Sequence, residues 1–121
     1  MLDVAIIGSG PAGVAAAINV RQRNRSLVLL GATEVSRKRE SAQEIANYPG
    51  FPEIGGAALG EAFHRHLDAL GIAVERKYVD HVYPMGDFYA LTSGEEMWEA
   101  RSVVLATGVT AFKPIEGEIE L

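Results

Sequence analysis

Apolar positions fall along this chain in two rhythms. Asp3-Val4-Ala5-Ile6-Ile7 is a short β-branched run, long enough for a buried parallel strand, and Ala12 to Val20 is a small-residue helix able to pack closely on a sheet. Leu27-Val28-Leu29-Leu30 follows as a second apolar run, which completes β-α-β within the usual span of roughly 30 residues. From Ala57 to Leu70 the period changes to three- and four-residue steps, with Leu59, Ala62, Phe63, His66, Leu67 and Leu70 on one stripe and Gly71 as the stop. Ile72-Ala73-Val74-Glu75 reads as a third strand, and Tyr78 to Tyr83 alternates at period two.

Beyond the turn Pro84-Met85-Gly86-Asp87, the segments Phe88–Thr92 and Met97–Arg101, joined by Ser93-Gly94-Glu95-Glu96, predict a hairpin with its acids on the exposed face and Trp98 packing it down. Val103-Val104-Leu105-Ala106 predicts a last buried strand, ending in Thr107-Gly108, where small residues allow backbone to approach a ligand. Val109 to Leu121 is acidic and has no further element to pack against. The pattern as a whole is α/β: a Rossmann-like βαβ unit with a parallel sheet and an added antiparallel hairpin or meander.

Between the first strand and the first helix lies Gly8-Ser9-Gly10-Pro11-Ala12-Gly13. In the spacing G-x-G-x-x-G the first glycine permits a tight turn, the second a close approach of backbone to ligand, and the third close packing of helix on strand. Pro11 suits the first helical turn, where its missing N–H is no loss. The remaining N–H groups and the positive end of the helix dipole face an anion, so the turn predicts a dinucleotide diphosphate site; its bland alternative is a tight structural turn.

Composition narrows this picture. At 121 residues the chain has the size of one domain and can bury a core. No apolar run approaches the length of a bilayer span, and a strand begins at the N-terminus, so neither a membrane segment nor a signal peptide is expected. The sequence has no cysteine, which leaves no thiol catalysis, disulfide or thiolate metal site within it, and favours a cytosolic setting. Redox chemistry here needs a cofactor. The net charge of −5 argues against general nucleic-acid affinity, although Arg21, Arg23, Arg25, Arg37, Lys38 and Arg39 face only Glu34 between positions 21 and 39. That cluster reads either as a solvated helix end plus a basic loop, or as a contact for cofactor phosphate or an acidic partner.

Dinucleotide units that grip a ribose place an acid about 20 residues beyond the glycines. Here the strand ends Leu29-Leu30-Gly31 and the first carboxylate is Glu34, so either Glu34 reaches back or backbone and hydroxyl groups of Ala32, Thr33 and Ser36 hold the ribose, the option favoured here. Glu34 to Glu44 reads as a surface loop or short irregular helix. Asn47-Tyr48-Pro49-Gly50-Phe51-Pro52 reads as a rigid, extended segment in which Asn47, able to donate and accept, suits a heteroaromatic ring. By spacing alone the plainer reading is preferred, with Asn47 an ordinary turn residue and Tyr48 and Phe51 core aromatics. His64 and His66 diverge on their helix with no third ligand nearby, so His64 is expected in solvent, His66 at the border, and metal at neither.

Together, the glycine turn, Asn47 to Pro52 and Ala106-Thr107-Gly108, in this order and spacing, resemble the flavin domain of the low-molecular-weight thioredoxin reductases. The likeness runs along the whole chain, including the helix after Phe51 and Gly117-Glu118. It implies the N-terminal portion of an FAD-binding domain, in a protein that passes electrons through flavin to a disulfide outside this chain and on to thioredoxin. It further implies that Ser9, Gly10, Pro11 and Ala12 hold the FAD diphosphate, with Gly8 and Gly13 shaping the turn. Asn47 would lie by the flavin, the Val79 backbone would meet the adenine, and Ala106, Thr107 and Gly108 would flank the cofactor; no residue of the chain is assigned a catalytic role.

The family's Gly-Gly-Gln-Leu stretch falls at Arg37 to Glu40 and is missing, and Leu30 stands where many members have the ribose acid. Both departures look like those of the ferredoxin-dependent flavin thioredoxin reductases, so ferredoxin stands beside NADPH as the implied electron donor. A homodimer is implied as well. The sequence stops about where family members cross into a second, nicotinamide-binding domain, and none is expected within it. The competing readings are a nicotinamide-binding module of a small dehydrogenase and a non-catalytic half-domain that self-associates through exposed apolar sheet.

Overall fold

The computed structural model describes residues 1–31 and 44–108. Strands β1 (Leu2–Ile7), β2 (Leu27–Gly31), β3 (Val74–Arg76), β4 (His81–Pro84), β5 (Tyr89–Ser93) and β6 (Glu96–Leu105) form one sheet in the order β3-β2-β1-β6-β5-β4, and helices α1 (Pro11–Gln22) and α2 (Gly56–Ala69) make the crossovers. β1 pairs in parallel with β2 and with the second half of β6, and β2 pairs in parallel with β3. The pairs β4–β5 and β5–β6 are antiparallel. This is the mixed α/β architecture expected from the alternation of strand and helix periods.

The two helices end as their residues dictate. Gly10 caps α1 with extended backbone and Pro11 opens it; at the far end Asn24 takes a φ of 56° and Arg25 N–H donates to the Val20 carbonyl. That is a Schellman closure with asparagine in the left-handed position. α2 repeats it with Gly71 at φ 66° and Ile72 N–H donating to Leu67. The apolar stripe of α2 buries Leu59, Phe63 and Leu67, with Ala62 and Leu70 half-buried, but His66 is exposed instead of bordering the core. Its neighbour Leu67 takes the buried position one step on.

Two apolar clusters sandwich the sheet. On the helix side Ile6 and Leu29 pack with Val14, Ala17, Leu59, Phe63, Leu67 and Ile72. On the other side Ile7, Val28 and Leu30 pack with Val79, Leu91 and Ala100, and half-buried Val82 and Trp98 join them. The antiparallel strands therefore curl over this face, and Trp98 does hold the hairpin down. Each fully buried aliphatic side chain contributes about 1.5–3 kcal/mol.

Several boundaries differ from the sequence pattern for local reasons. The hairpin's second arm and the last strand are one continuous element, β6, which runs through the polar pair Arg101-Ser102. That pair is tolerated because both residues are exposed, and the Ser102 hydroxyl donates to the Asp3 carbonyl at 2.8 Å. The alternating run from Tyr78 contributes strand only from His81. Before it the chain turns: Asp80 carboxylate accepts from Gly94 N–H at 2.7 Å, and Lys77 meets Glu96 at 2.6 Å.

Asn47 to Pro52 is a tight reversal instead of an extended segment. Phe51 N–H donates to the Tyr48 carbonyl at 3.0 Å across Pro49-Gly50, and Gly50 has φ 90°. Proline then glycine at the two central positions is the pattern of a type II turn. An Ile45–Ile54 bridge closes the excursion, and the Tyr48 ring packs on Phe63 at 5.3 Å and on Phe51 at 6.4 Å.

Candidate functional site

In an open sheet with parallel strands, ligands gather outside the strands' C-terminal ends, where the strand order reverses. Here β1 runs on to β2 on one side and receives β6 on the other, so the reversal lies between β1 and β6. The Gly8–Gly13 turn leaves β1 at that point, and Ala106-Thr107-Gly108 leaves β6 beside it. Ala106 N–H donates to the Ile7 carbonyl at 2.8 Å, and Gly8 N–H donates to Leu30 at 2.7 Å, which ties the turn to the ends of both neighbouring strands.

The three glycines of the turn meet different surroundings. A Cβ on Gly8, whose φ is 115°, would lie 2.5 Å from the Ala106 carbonyl carbon and nearer still to its oxygen. A Cβ on Gly13 would lie 2.8 Å from the Gly8 carbonyl carbon, again nearer to the oxygen. Both are therefore committed to packing within the chain. Among the described residues, a Cβ on Gly10 would meet nothing within 4 Å. Gly10 borders open space at the start of a helix that carries no acidic residue in its first turn and no side-chain cap. The first N–H groups of α1 have no intrahelical partner, and Val14 N–H closes the first full turn onto the Gly10 carbonyl at 2.9 Å. A backbone cradle open at its centre and positive by helix dipole is fitted to an anion.

Ser9 lies at the back of this cradle and is, among the described residues, the one buried polar side chain. It packs against Gly31 at the end of β2, where a Cβ would come to 2.5 Å from the Ser9 Cβ. The sequence pattern does not single out Gly31, because its cause is a neighbour 22 positions away. The only local signal is a glycine directly after a buried strand. β2 ends in Leu30, fully buried, and Gly31, so the strand itself carries no carboxylate. Glu34, Ala32, Thr33 and Ser36, weighed for the ribose, lie outside the described residues, as do the Arg37–Arg39 cluster and the segment from Val109 onward.

The remaining candidates lie on segments outside the strands. Thr107 and Gly108 are exposed beside the turn, and Gly108 has φ 73° with none of the described residues within 4 Å of an added Cβ. Val79 follows β3 and is buried in the cluster beneath the antiparallel strands. Asn47 is exposed on the 44–54 excursion, held to α2 by Tyr48. The structure thus brings Ala106 into contact with the glycine turn, whereas Tyr48, next to Asn47, packs with the helix-side cluster and Val79 with the cluster on the other face. Among the described residues no group of His, Asp or Glu could hold a metal ion, and no helix is long and apolar enough to cross a membrane.

Known proteins share this arrangement. The thioredoxin reductase of Bacillus subtilis (strain 168) is 29% identical over 120 residues, which cover 98% of this chain and 38% of that protein. The thioredoxin reductase of Mycoplasmopsis pulmonis is 34% identical over 117 residues, covering 94% of this chain and 38% of that one. The crystal structure of a ferredoxin-flavin thioredoxin reductase from Clostridium acetobutylicum matches with a TM-score of 0.88 at 43% identity, over 93% of this chain and 39% of that chain. The chain therefore spans roughly two fifths of the length of the curated relatives it matches. The family model described as pyridine nucleotide-disulphide oxidoreductase matches residues 2–121, and the chain belongs to that family.

Proposed function

We propose that the chain is the N-terminal portion of the FAD-binding domain of a thioredoxin-reductase-like flavoprotein. The observation that carries this reading is the division of labour among the turn's glycines. Gly8 and Gly13 are needed for packing, while Gly10, at an uncapped helix start, is crowded by none of the described residues. The N–H groups of Ser9, Gly10 and Ala12 would hold the diphosphate, and Pro11, which has no N–H, presets the helical backbone. Thr107 and Gly108 would flank the cofactor from β6, Asn47 would lie by the flavin ring and the Val79 backbone by the adenine. When bound, FAD supplies the two-electron carriage that a chain without cysteine lacks.

The role of these residues is to bind and orient; the disulfide to be reduced would lie outside residues 1–121. Thioredoxin or a similar disulfide protein is the proposed substrate of the whole enzyme, with homodimeric assembly. Ferredoxin is proposed as donor ahead of NADPH. The 43% identity to a protein named for ferredoxin and flavin supports that choice, as do the basic Arg37-Lys38-Arg39 run and the missing glutamine motif.

Purified chain is expected to be yellow, or to quench the fluorescence of added FAD on titration, with binding tighter than that of NADH. A colourless protein that leaves FAD fluorescence unchanged would overturn the FAD reading. Tighter binding of NADH would favour a nicotinamide module instead.

A further inference from the structure

We infer that Ser9 and Gly31 form a steric couple that sets the position of the diphosphate turn relative to β2, so that the absence of a side chain at residue 31 is a requirement of cofactor placement. The inference rests on the FAD reading above and goes beyond it by assigning a positioning role to a residue at the end of another strand.

Gly31 closes β2, and its neighbour in space is the one buried polar side chain among the described residues. An added Cβ at residue 31 would meet Ser9 Oγ and would lie 2.5 Å from Ser9 Cβ and 3.3 Å from Ser9 N. Rotation about χ1 moves the hydroxyl but leaves Ser9 Cβ where the backbone holds it. Carbon atoms pack at about 3.5–4.0 Å, so a methyl group at residue 31 displaces the backbone of Ser9 by on the order of 1 Å. Ser9 N–H and Gly10 N–H belong to the stretch that faces the anion, and hydrogen bonds weaken steeply with such a change in distance and angle.

Gly31 also differs in kind from its neighbours. The obstacle to a side chain at Gly8 or Gly13 is main-chain carbonyl, which no substitution removes, whereas at Gly31 it is chiefly a side chain, which one does. A reciprocal change therefore relieves it. Gly31 carries no positive φ, so alanine there brings no backbone strain of its own.

The test is a double-mutant cycle of wild type, S9G, G31A and S9G/G31A in the 121-residue chain, with FAD affinity read by fluorescence quenching and folding by circular dichroism. G31A in the wild-type background is expected to raise the FAD dissociation constant by about tenfold or more, and in the S9G background by only about threefold or less, a coupling within the range seen for residues in contact. If G31A does not fold alone, recovery of fold and FAD binding in S9G/G31A supports the couple, and failure of the double variant overturns it. Equal penalties in both backgrounds overturn it, as does a G31A protein that melts earlier yet binds FAD as wild type does. Absence of FAD binding in the wild type rejects the parent reading and this role with it, whereas wild-type binding with an unaffected G31A rejects the couple alone.

Discussion

At the C-terminal edge of the parallel strands, three glycines let the chain close on itself: Gly8 lies against the Ala106 carbonyl, Gly13 against the Gly8 carbonyl, and Gly31 against the Ser9 side chain. In the antiparallel strands the contacts are made by side chains. Leu91 and Ala100 are fully buried there, while the turn glycines Gly86 and Gly94, at φ 89° and 58°, have none of the described residues within 4 Å of an added Cβ. One region excludes side-chain atoms so that elements close tightly around the turn; the other fills space to hold the sheet's far face. The same residue type thus answers to local tertiary contact at one end of the molecule and to turn geometry at the other.

The sharpest break of this contrast would come from the turn. G13A is expected to cost more than about 4 kcal/mol, seen as insoluble protein or a collapsed melting temperature, since its methyl group meets an immovable carbonyl. G10A, facing open space, is expected to stay within about 0.5 kcal/mol of wild type in melting while losing FAD affinity. Equal melting temperatures for the two variants would erase the distinction between packing glycine and ligand glycine. On the other side of the comparison, L91A empties a fully buried position and is expected to cost about 2–5 kcal/mol in a denaturant titration. A smaller loss would mean that the curled strands collapse into the gap.

The smallest effect lies at the opposite end of the strands. There the Asp3 carboxylate accepts from Ser26 N–H at 2.9 Å and from its hydroxyl at 3.1 Å, while Asp3 N–H donates to Ser26 Oγ at 2.9 Å. These hydrogen bonds, the backbone one foremost, hold the Asp3 carboxyl below its ordinary 3.8. A depressed folded value contributes stability above the ordinary carboxylate range that is lost as pH falls through the lowered value. The melting-temperature gap between wild type and D3N should therefore narrow on acidification; a gap that ignores pH would remove the carboxylate from the account.

Much of the fold is legible along the chain because it is local. The glycine turn, α1, β2 and α2 follow from residues within one or two turns of each other, and Gly71 stops its helix as glycine at that position should. The pattern misleads where distance in sequence matters. Gly31 is explained only by Ser9, and the continuity of β6 through Arg101-Ser102 is explained by exposure and by the bond from Ser102 to Asp3. The Pro49-Gly50 reversal does carry a local signal, but two prolines weight the segment toward extended backbone and mask the glycine that turns it. Of the site, the Ala106 contact with the turn is on view in the fold, while the roles of Asn47 and Val79 still rest on the resemblance.

Ala100 pairs with Leu2 of the parallel region and with Tyr89 of the antiparallel one, in a single unbroken strand. Neither region can separate from the other without tearing the ladder that both use. Melting should accordingly be one cooperative event, with the amides around Ala100 among the last to exchange with solvent deuterium. A fault introduced under the antiparallel strands would be felt at the glycine turn as a change in how often the whole unit opens.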